Sequence, residues 1–271
     1  MRLTVDHHTS YTFSEPQARI VQLLRMTPAD TDQQTIADWQ IHVDCDARLR
    51  TSRDGFGNRV TMLYAEGPIR SVEIAVLGQV LTAPSSGIIT GGVEPFPVAL
   101  YQRATPLTAA NAAILAFAQD GCAAAPALDR LHALNRAVHA RFTLDKGRPV
   151  AGRSAIEAFA GGRTTARDLA HIFIAAVRAL GAPARYVSGY SLIAANGEHQ
   201  PTPHGWAEAW VDGIGWIGFD PGMGLCAAEE YIRVAIGLDA TSAAPVAGSR
   251  LGDGRENLDV DIIIGSLGSD A

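Results

Sequence analysis

The chain has 271 residues, of which 47% are hydrophobic and 18% charged, and its net charge at pH 7 is −6. This much apolar side chain can be buried in one large domain or two modest ones, which argues against an intrinsically disordered protein. The negative net charge and the lack of a basic tract argue against binding to the phosphates of nucleic acid.

Neither the apolar segments nor the cysteines of the sequence indicate secretion or insertion into a membrane. We find no run of about 18 apolar residues, so no membrane-spanning helix is predicted. Residues 1–13 lack a charged start followed by a long apolar run, so we expect no signal peptide. Cys45, Cys122 and Cys226 are scattered and form neither a disulfide framework nor a zinc-site spacing. We expect these thiols to have no catalytic or structural role. We also expect a cytoplasmic location and no metal or other cofactor.

The first ~80 residues alternate between apolar and polar side chains, which predicts β-strands. Asp54-Gly55 and Gly57-Asn58 supply residues suited to a tight turn between strands. Short alternating strands separated by turns predict an antiparallel β-sandwich domain over residues 1–85. The expected inward faces are Leu3, Val5, Thr9, Tyr11 and Phe13; Trp39, Ile41, Val43 and Cys45; Val60, Met62 and Tyr64; Val72, Ile74 and Val76.

Helical periodicity begins after a Pro- and Gly-rich crossing segment at residues 84–97. Apolar residues spaced for one helix face predict a helix around Ile114 that stops at Asp120-Gly121, and another over 128–142. Ser154 and Glu157 have the spacing of a capping box for a short third helix. Together with the strands that follow, these helices predict an α+β domain over residues 86–271.

A fourth helix is the most strongly marked element of the chain. Thr165 is a suitable N-cap, and Asp168, three residues later, can reach back to the Thr165 amide. Apolar residues from Leu169 to Leu180 trace one stripe, so we expect a central helix buried on one side. Gly181 and Pro183 then end the helix.

Strand patterns follow this helix at 185–192, 204–211 and 216–220, and a closing strand of the same sheet is expected at 258–264. Asp212-Gly213 predicts that the second and third strands form a hairpin. His204 and Asp220 then lie at its outer ends, where a histidine could act as a base and a carboxylate could orient it. The plainer alternative is a structural histidine and a turn aspartate before Pro221.

Two segments resemble the transglutaminase-like domain of bacterial proteins. They are RTTARDLAHIFIAAVRALGAPARYVSGY at 163–190 and HGWAEAWVDGIGWIGFDP at 204–221. The family pattern is G-x-C-x-D-x-A-H, P-A-R-Y-V-S-G-Y, H-x-W-x-E and W-x-x-x-D-P. The first ~80 residues also resemble the β domain that precedes this core, with D-x-F-G-N at 54–58. The resemblance implies a papain-like core of helices on an antiparallel sheet, preceded by a β-sandwich domain.

The resemblance assigns a role to each matching position. It makes His204 the general base, Asp220 its orienting carboxylate and Ala166 the residue at the nucleophile position. It also suggests Arg167, Asp168 and Trp206 as cleft residues. A methyl group can neither attack a carbonyl nor donate a proton, so we expect a protein without the family's thioester chemistry.

Residues other than Ala166 could still carry chemistry. Thr164, Thr165 or Cys226 could supply a different nucleophile, and the histidines could in principle serve a metal. The alanine could also be an engineered replacement of cysteine. Thr164, Thr165 and Arg167 depart from the pattern as well, which favours natural loss.

Three functions follow from these alternatives. The first is a pseudoenzyme that binds a peptide or a protein, including a related active enzyme. The second is a peptidase, amidase or acyl transferase that uses another nucleophile. In the third, the N-terminal β domain docks a partner and the rest is scaffold. The sequence leaves the oligomeric state open.

Overall fold

The computed structural model describes residues 1–120 and 127–267. The N-terminal part contains β1 (Arg2–Leu24), β2 (Gln34–Val43), β3 (Ala47–Arg53), β4 (Arg59–Thr82), β5 (Ile88–Ile89) and a 3-10 turn (Val98–Gln102). The helical part contains α1 (Ala112–Gln119), α2 (Ala127–Arg141), β6 (Thr143–Leu144), α3 (Ala155–Ala160), β7 (Arg163–Thr164) and α4 (Ala166–Ala179). The C-terminal part contains β8 (Ala184–Ser191), α5 (Leu192–Ala195), β9 (His204–Val211), β10 (Gly215–Asp220), β11 (Leu225–Cys226), β12 (Tyr231–Gly237), β13 (Val246–Leu251) and β14 (Glu256–Leu267).

The N-terminal sheet is built on two long antiparallel strands, β1 and β4, with β2 and β3 paired to β4. The β1–β4 register shifts between Thr12 and Arg19, which divides each long strand into two halves. Tyr11 before this break, Phe13 within it, and Ile20 and Leu24 after it belong to one buried cluster. The predicted β-sandwich is thus formed by one continuous sheet, whose two halves pack on a common core.

Two details of the predicted strands were wrong. The strand expected to close the core sheet at 258–264 is β14, which pairs with β1 of the N-terminal sheet, and β13 pairs with the same strand. The inward face near residue 62 was also misassigned, because Leu63 is fully buried whereas Met62 is exposed. Alternation starting from buried Val60 gave the wrong phase, since Thr61 is buried as well. The division into domains 1–85 and 86–271 stays a prediction.

The core sheet has the order β11-β10-β9-β8-β12, and β5 adds to β10. Helix α4 packs on β8 and β9, and α1, α2 and α3 pack against α4. Every residue from Asp168 to Arg178 is consequently buried. The prediction of a helix buried on one side was wrong because the other helices cover its second side.

The two sheets are joined by polar and apolar contacts. The hydroxyl of Tyr190 on β8 lies 2.9 Å from His7 Nδ1 on β1. The side chain of Gln34 on β2 bonds both main-chain groups of Arg233 on β12, at 2.8 and 2.9 Å. Around these bonds lies an apolar cluster that includes Ile262 and Ile264 of β14. The N-terminal sheet therefore forms part of the surroundings of β8.

Candidate active site

The start of α4 is fixed by the capping box that the sequence predicts. The Thr165 hydroxyl accepts the Asp168 amide at 3.4 Å, and Asp168 Oδ2 accepts the Thr165 amide at 3.2 Å. Ala166 is therefore the first helical residue. A Cβ placed on Gly222 would lie 3.9 Å from Ala166 Cα and 3.1 Å from Asp220 Oδ1. The backbone at Ala166 thus lies close to the turn that follows Asp220.

His204 and Asp220 form a hydrogen-bonded pair, with 2.6 Å between His204 Nε2 and Asp220 Oδ2. In the β9–β10 hairpin Ala207 pairs with Phe219, so His204 and Asp220 are diagonal neighbours rather than directly opposed residues. The side chain of Asp220 is fully buried, and that of His204 is 10% exposed. Because Asp220 engages Nε2, Nδ1 is the ring nitrogen available to a ligand.

Several groups keep Asp220 ionised. Burial raises the pKa of this carboxyl, but the adjacent His204 and the hydrogen bonds that Asp220 accepts outweigh burial and lower the pKa below its ordinary value. Besides His204, the donors are the Tyr231 hydroxyl at 2.8 Å and the amides of Gly222 and Met223 at 2.9 and 3.2 Å. The carboxylate can therefore hold the His204 ring in one orientation.

Aromatic rings surround this pair. Trp206 stacks on His204 with 6.1 Å between ring centroids and 25° between planes, and it meets Tyr231 edge-on at 5.3 Å. Trp206 is almost fully buried and is not among the residues lining the cavity beside His204. Its place in the site is therefore to support the imidazole.

A cavity of about 490 Å³ adjoins this pair. Its floor is one face of β8, its walls include Ala166, Arg167 and His204, and its far end reaches β14. The segment that joins α5 to β9 also lines the cavity, and it is held to β14 by a two-way backbone pairing between Gln200 and Ile262. The cavity therefore lies between the core and the N-terminal sheet.

Arg167 and Asp168 have different positions. Arg167 lines the cavity, and its Nη2 donates to the Val150 carbonyl. Asp168 is fully buried below the helix start, 3.2 Å from Arg153 Nη1 and 3.4 Å from Arg167 Nη2. Asp168 thus anchors both arginines and caps α4.

The alternative nucleophiles are engaged elsewhere. Cys226 lies on β11 with its Sγ 3.9 Å from His132 Nδ1, and burial raises the pKa of this thiol, which disfavours thiolate. The buried Thr164 hydroxyl donates to the Thr143 carbonyl at 3.4 Å, and Thr165, although it lines the cavity, caps α4. Cys122 lies outside the described residues.

Sequence reasoning missed Tyr231 and the apolar end of the cavity. Tyr231 reaches Asp220 from β12, which is not a neighbour of β10 in the sheet, so no strand spacing could link them. Ile262 and Ile264 were expected in the core sheet rather than beside the cavity. Only knowledge of the strand pairing would have placed them there.

Comparisons with known proteins agree with this architecture. Residues 3–81 match the bacterial transglutaminase-like N-terminal region, and residues 115–221 match the transglutaminase-like superfamily. The chain belongs to the transglutaminase-like superfamily. Among the described helices of this transglutaminase-like protein, none is long and apolar enough to cross a membrane.

Similar proteins match most or nearly all of its length. The chain is 27% identical to an uncharacterized protein of Mycobacterium leprae, over 98% of this chain and 99% of the relative. It is 25% identical to one of Mycobacterium bovis, over 91% and 87%. A solved structure described as a candidate cysteine protease from Cytophaga hutchinsonii aligns at a TM-score of 0.79 and 19% identity, covering 100% of this chain and 92% of that chain. This structural likeness shows a shared fold.

Proposed function

We propose that this transglutaminase-like protein binds a peptide or protein segment in the cavity beside His204 without forming a covalent intermediate. The observation that carries the proposal is Ala166 as the first residue of α4, in a cavity that also contains His204. A thiol at this position would be favoured as thiolate by the helix N-terminus, but the methyl group provides no nucleophile.

The groups that hold the His204 ring in place support a binding role for the cavity. The 2.6 Å contact between His204 and Asp220 and the donors around Asp220 keep the imidazole fixed. A fixed imidazole with a free ring nitrogen can still donate to, or accept from, a backbone amide of a bound segment. Cys226 contributes no competing chemistry there, because it contacts His132 instead.

The test compares the natural chain with Ala166→Cys. Both are treated with a chloroacetamide probe, and the modified peptides are mapped by mass spectrometry. We expect position 166 of the variant to react at least ~10-fold faster than Cys45, because the helix N-terminus and His204 lower the pKa of a thiol there. In the natural chain we expect no turnover of a peptide ester or of a glutamine-plus-amine substrate.

The matched control is the double variant Ala166→Cys/His204→Ala. Its new thiol still lies at the helix N-terminus but has no general base beside it. Its reaction with the probe should be several-fold slower than that of Ala166→Cys, because only the helix N-terminus still favours the thiolate. Turnover by the natural chain that disappears in His204→Ala would overturn the proposal in favour of an active enzyme with another nucleophile.

A further inference from the structure

We infer that the cavity binds an extended ligand by a carboxylate at its α4 end and by an apolar side chain at its β14 end. The inference rests on the proposed function, because it concerns the same cavity, and it specifies which ligand chemistry the cavity selects. It follows from the length of the cavity floor and from the different chemistry of its two ends.

The floor of the cavity sets its length. Tyr186, Ser188 and Tyr190 all line the cavity, as expected for alternate residues on one face of β8. Tyr186 contacts His171 of α4 with 5.3 Å between ring centroids, whereas Tyr190 bonds His7 of the N-terminal sheet. At about 3.3 Å per residue this floor spans roughly 13 Å, the length of an extended segment of about four residues.

The α4 end of the cavity presents two guanidinium groups. Arg153 and Arg167 both line the cavity and share a single carboxylate, that of Asp168. The Nε atom of Arg167 is buried and has no hydrogen-bond partner in the part of the chain that the structure describes.

The other ions near this end have partners of their own. Lys146 pairs with Glu198 at 2.8 Å, and Asp145 lies 3.6 Å from Arg163. Glu157 is close enough to Arg153 to interact with it electrostatically, but it also bonds Ser154 and is not among the residues lining the cavity. A guanidinium group presents parallel N–H donors that match a carboxylate, so an acidic group fits this end.

The β14 end is apolar. Ile262, Ile264, Tyr190 and Ala195 are buried in the protein and line this end of the cavity. Gln200 also lines it, but its side-chain amide donates to main-chain carbonyls of its own segment. An apolar side chain would remove water from these residues, whereas a polar one would find few partners.

The test uses a fluorescent tetrapeptide, leucine followed by three alanines with the dye on the N-terminus, and measures binding by anisotropy. The free-acid form is compared with the C-terminal amide. Two further amides carry glutamate or glutamine at the last position, so that a main-chain carboxylate is distinguished from a side-chain carboxylate. A fifth peptide, a free acid, has asparagine in place of leucine.

We expect at least one carboxylate peptide to bind ~10-fold more tightly than its neutral match, as for a charge-assisted pair. Arg167→Gln should reduce this ratio to about one. Arg163→Gln, which removes the same charge from a side chain that is 79% exposed, should leave it unchanged. Replacing leucine with asparagine should weaken binding several-fold.

The outcomes distinguish the ligand preference from the proposed function. Equal binding of acid and neutral peptides, or a preference that survives in both Arg167→Gln and Arg153→Gln, would overturn the inference and leave the proposed function standing. Loss of binding in a variant counts only if its thermal unfolding matches that of the natural chain, and Arg153→Gln provides the second test if Arg167→Gln does not fold. If no peptide binds at millimolar concentration, both the ligand preference and the proposed function are wrong.

Discussion

Tyr231 and Asp220 show how one hydroxyl supports the site at the residue scale. The Tyr231 hydroxyl donates to Asp220 Oδ2 at 2.8 Å, the same oxygen that contacts His204. Burial and the negative charge of Asp220 raise the pKa of Tyr231, so its proton stays in place. Removing this hydroxyl leaves the buried Asp220 carboxylate with one hydrogen bond fewer.

We therefore expect Tyr231→Phe to lower the free energy of unfolding by about 1.5–3 kcal/mol at pH 7, the cost of losing a hydrogen bond to a buried charge. The native pKa of Asp220 is lowered, so the stability this carboxylate contributes is present above its unfolded pKa and is lost as pH falls through its native pKa. The difference between variant and natural chain should shrink in acid. Urea unfolding at several pH values measures it.

Tyr64→Phe is the matched control, because its hydroxyl also donates to a carboxylate, Glu66, at 2.9 Å but in an exposed position. Its effect should stay below about 0.5 kcal/mol. Equal effects of the two substitutions would contradict the support role of Tyr231.

At the scale of elements, α4 depends on the residue that precedes it. Thr165 is buried although it lines the cavity, and its side chain accepts the Asp168 amide in a hydrogen bond that is shielded from bulk solvent. Water therefore replaces a lost cap less readily here than at an exposed helix start.

We expect Thr165→Ala to lower the free energy of unfolding by about 1–2 kcal/mol, while Thr165→Ser keeps most of the stability. Ser154→Ala removes the equivalent cap from α3 in an exposed place, where water can substitute, so its cost should be smaller. Chemical denaturation of the three variants provides the comparison. A larger cost for Ser154→Ala would contradict the importance of burial at the α4 start.

How far the sequence predicts these elements depends on whether the signal is local. The capping boxes at Ser154 and Thr165 and the hairpin that brings His204 to Asp220 are set by neighbouring residues, and the structure has all three. The pairing of β14 with β1 and the bond from Tyr231 to Asp220 depend on segments far apart in the chain. The periodicity of a strand shows which side chains share a face but not which other strand it pairs with. Neither of these contacts could therefore be predicted from the sequence.

At the scale of the whole molecule, two buried histidines couple stability to pH. Burial, the largest influence, lowers the pKa of His7 to about 3 and that of His171 to about 4. His171 Nε2 accepts the Ala240 amide at 3.0 Å, and His7 bonds Tyr190 and Thr9, so both rings are built in as neutral groups.

The unfolded chain takes up a proton at each position near pH 6.5, but the native protein does not until far lower pH. Stability should therefore be complete above about pH 7 and fall by about 1.4 kcal/mol per pH unit for each histidine between pH 6 and 4. His8, whose pKa is raised chiefly by its hydrogen bond to Glu73, acts in the opposite sense, but its side chain is 42% exposed. Urea titrations from pH 7.5 to 4.5 measure the slope.

His7→Gln should reduce the slope by about half, because glutamine can keep a polar contact but cannot be protonated. His171→Asn should do the same through the second site. A slope that is unchanged in both variants would show that other groups control the acid response.

The placement of β14 bears on the order in which the chain can fold during synthesis. Two of the six strands of the N-terminal sheet, β13 and β14, come from the last part of the described chain. When the ribosome has released only residues 1–85, β1 therefore lacks the partners that later cover one of its edges. An unpaired strand edge is a template for association with other chains. The nascent sheet must wait for almost the whole polypeptide, and a fragment ending near residue 85 should aggregate when expressed alone.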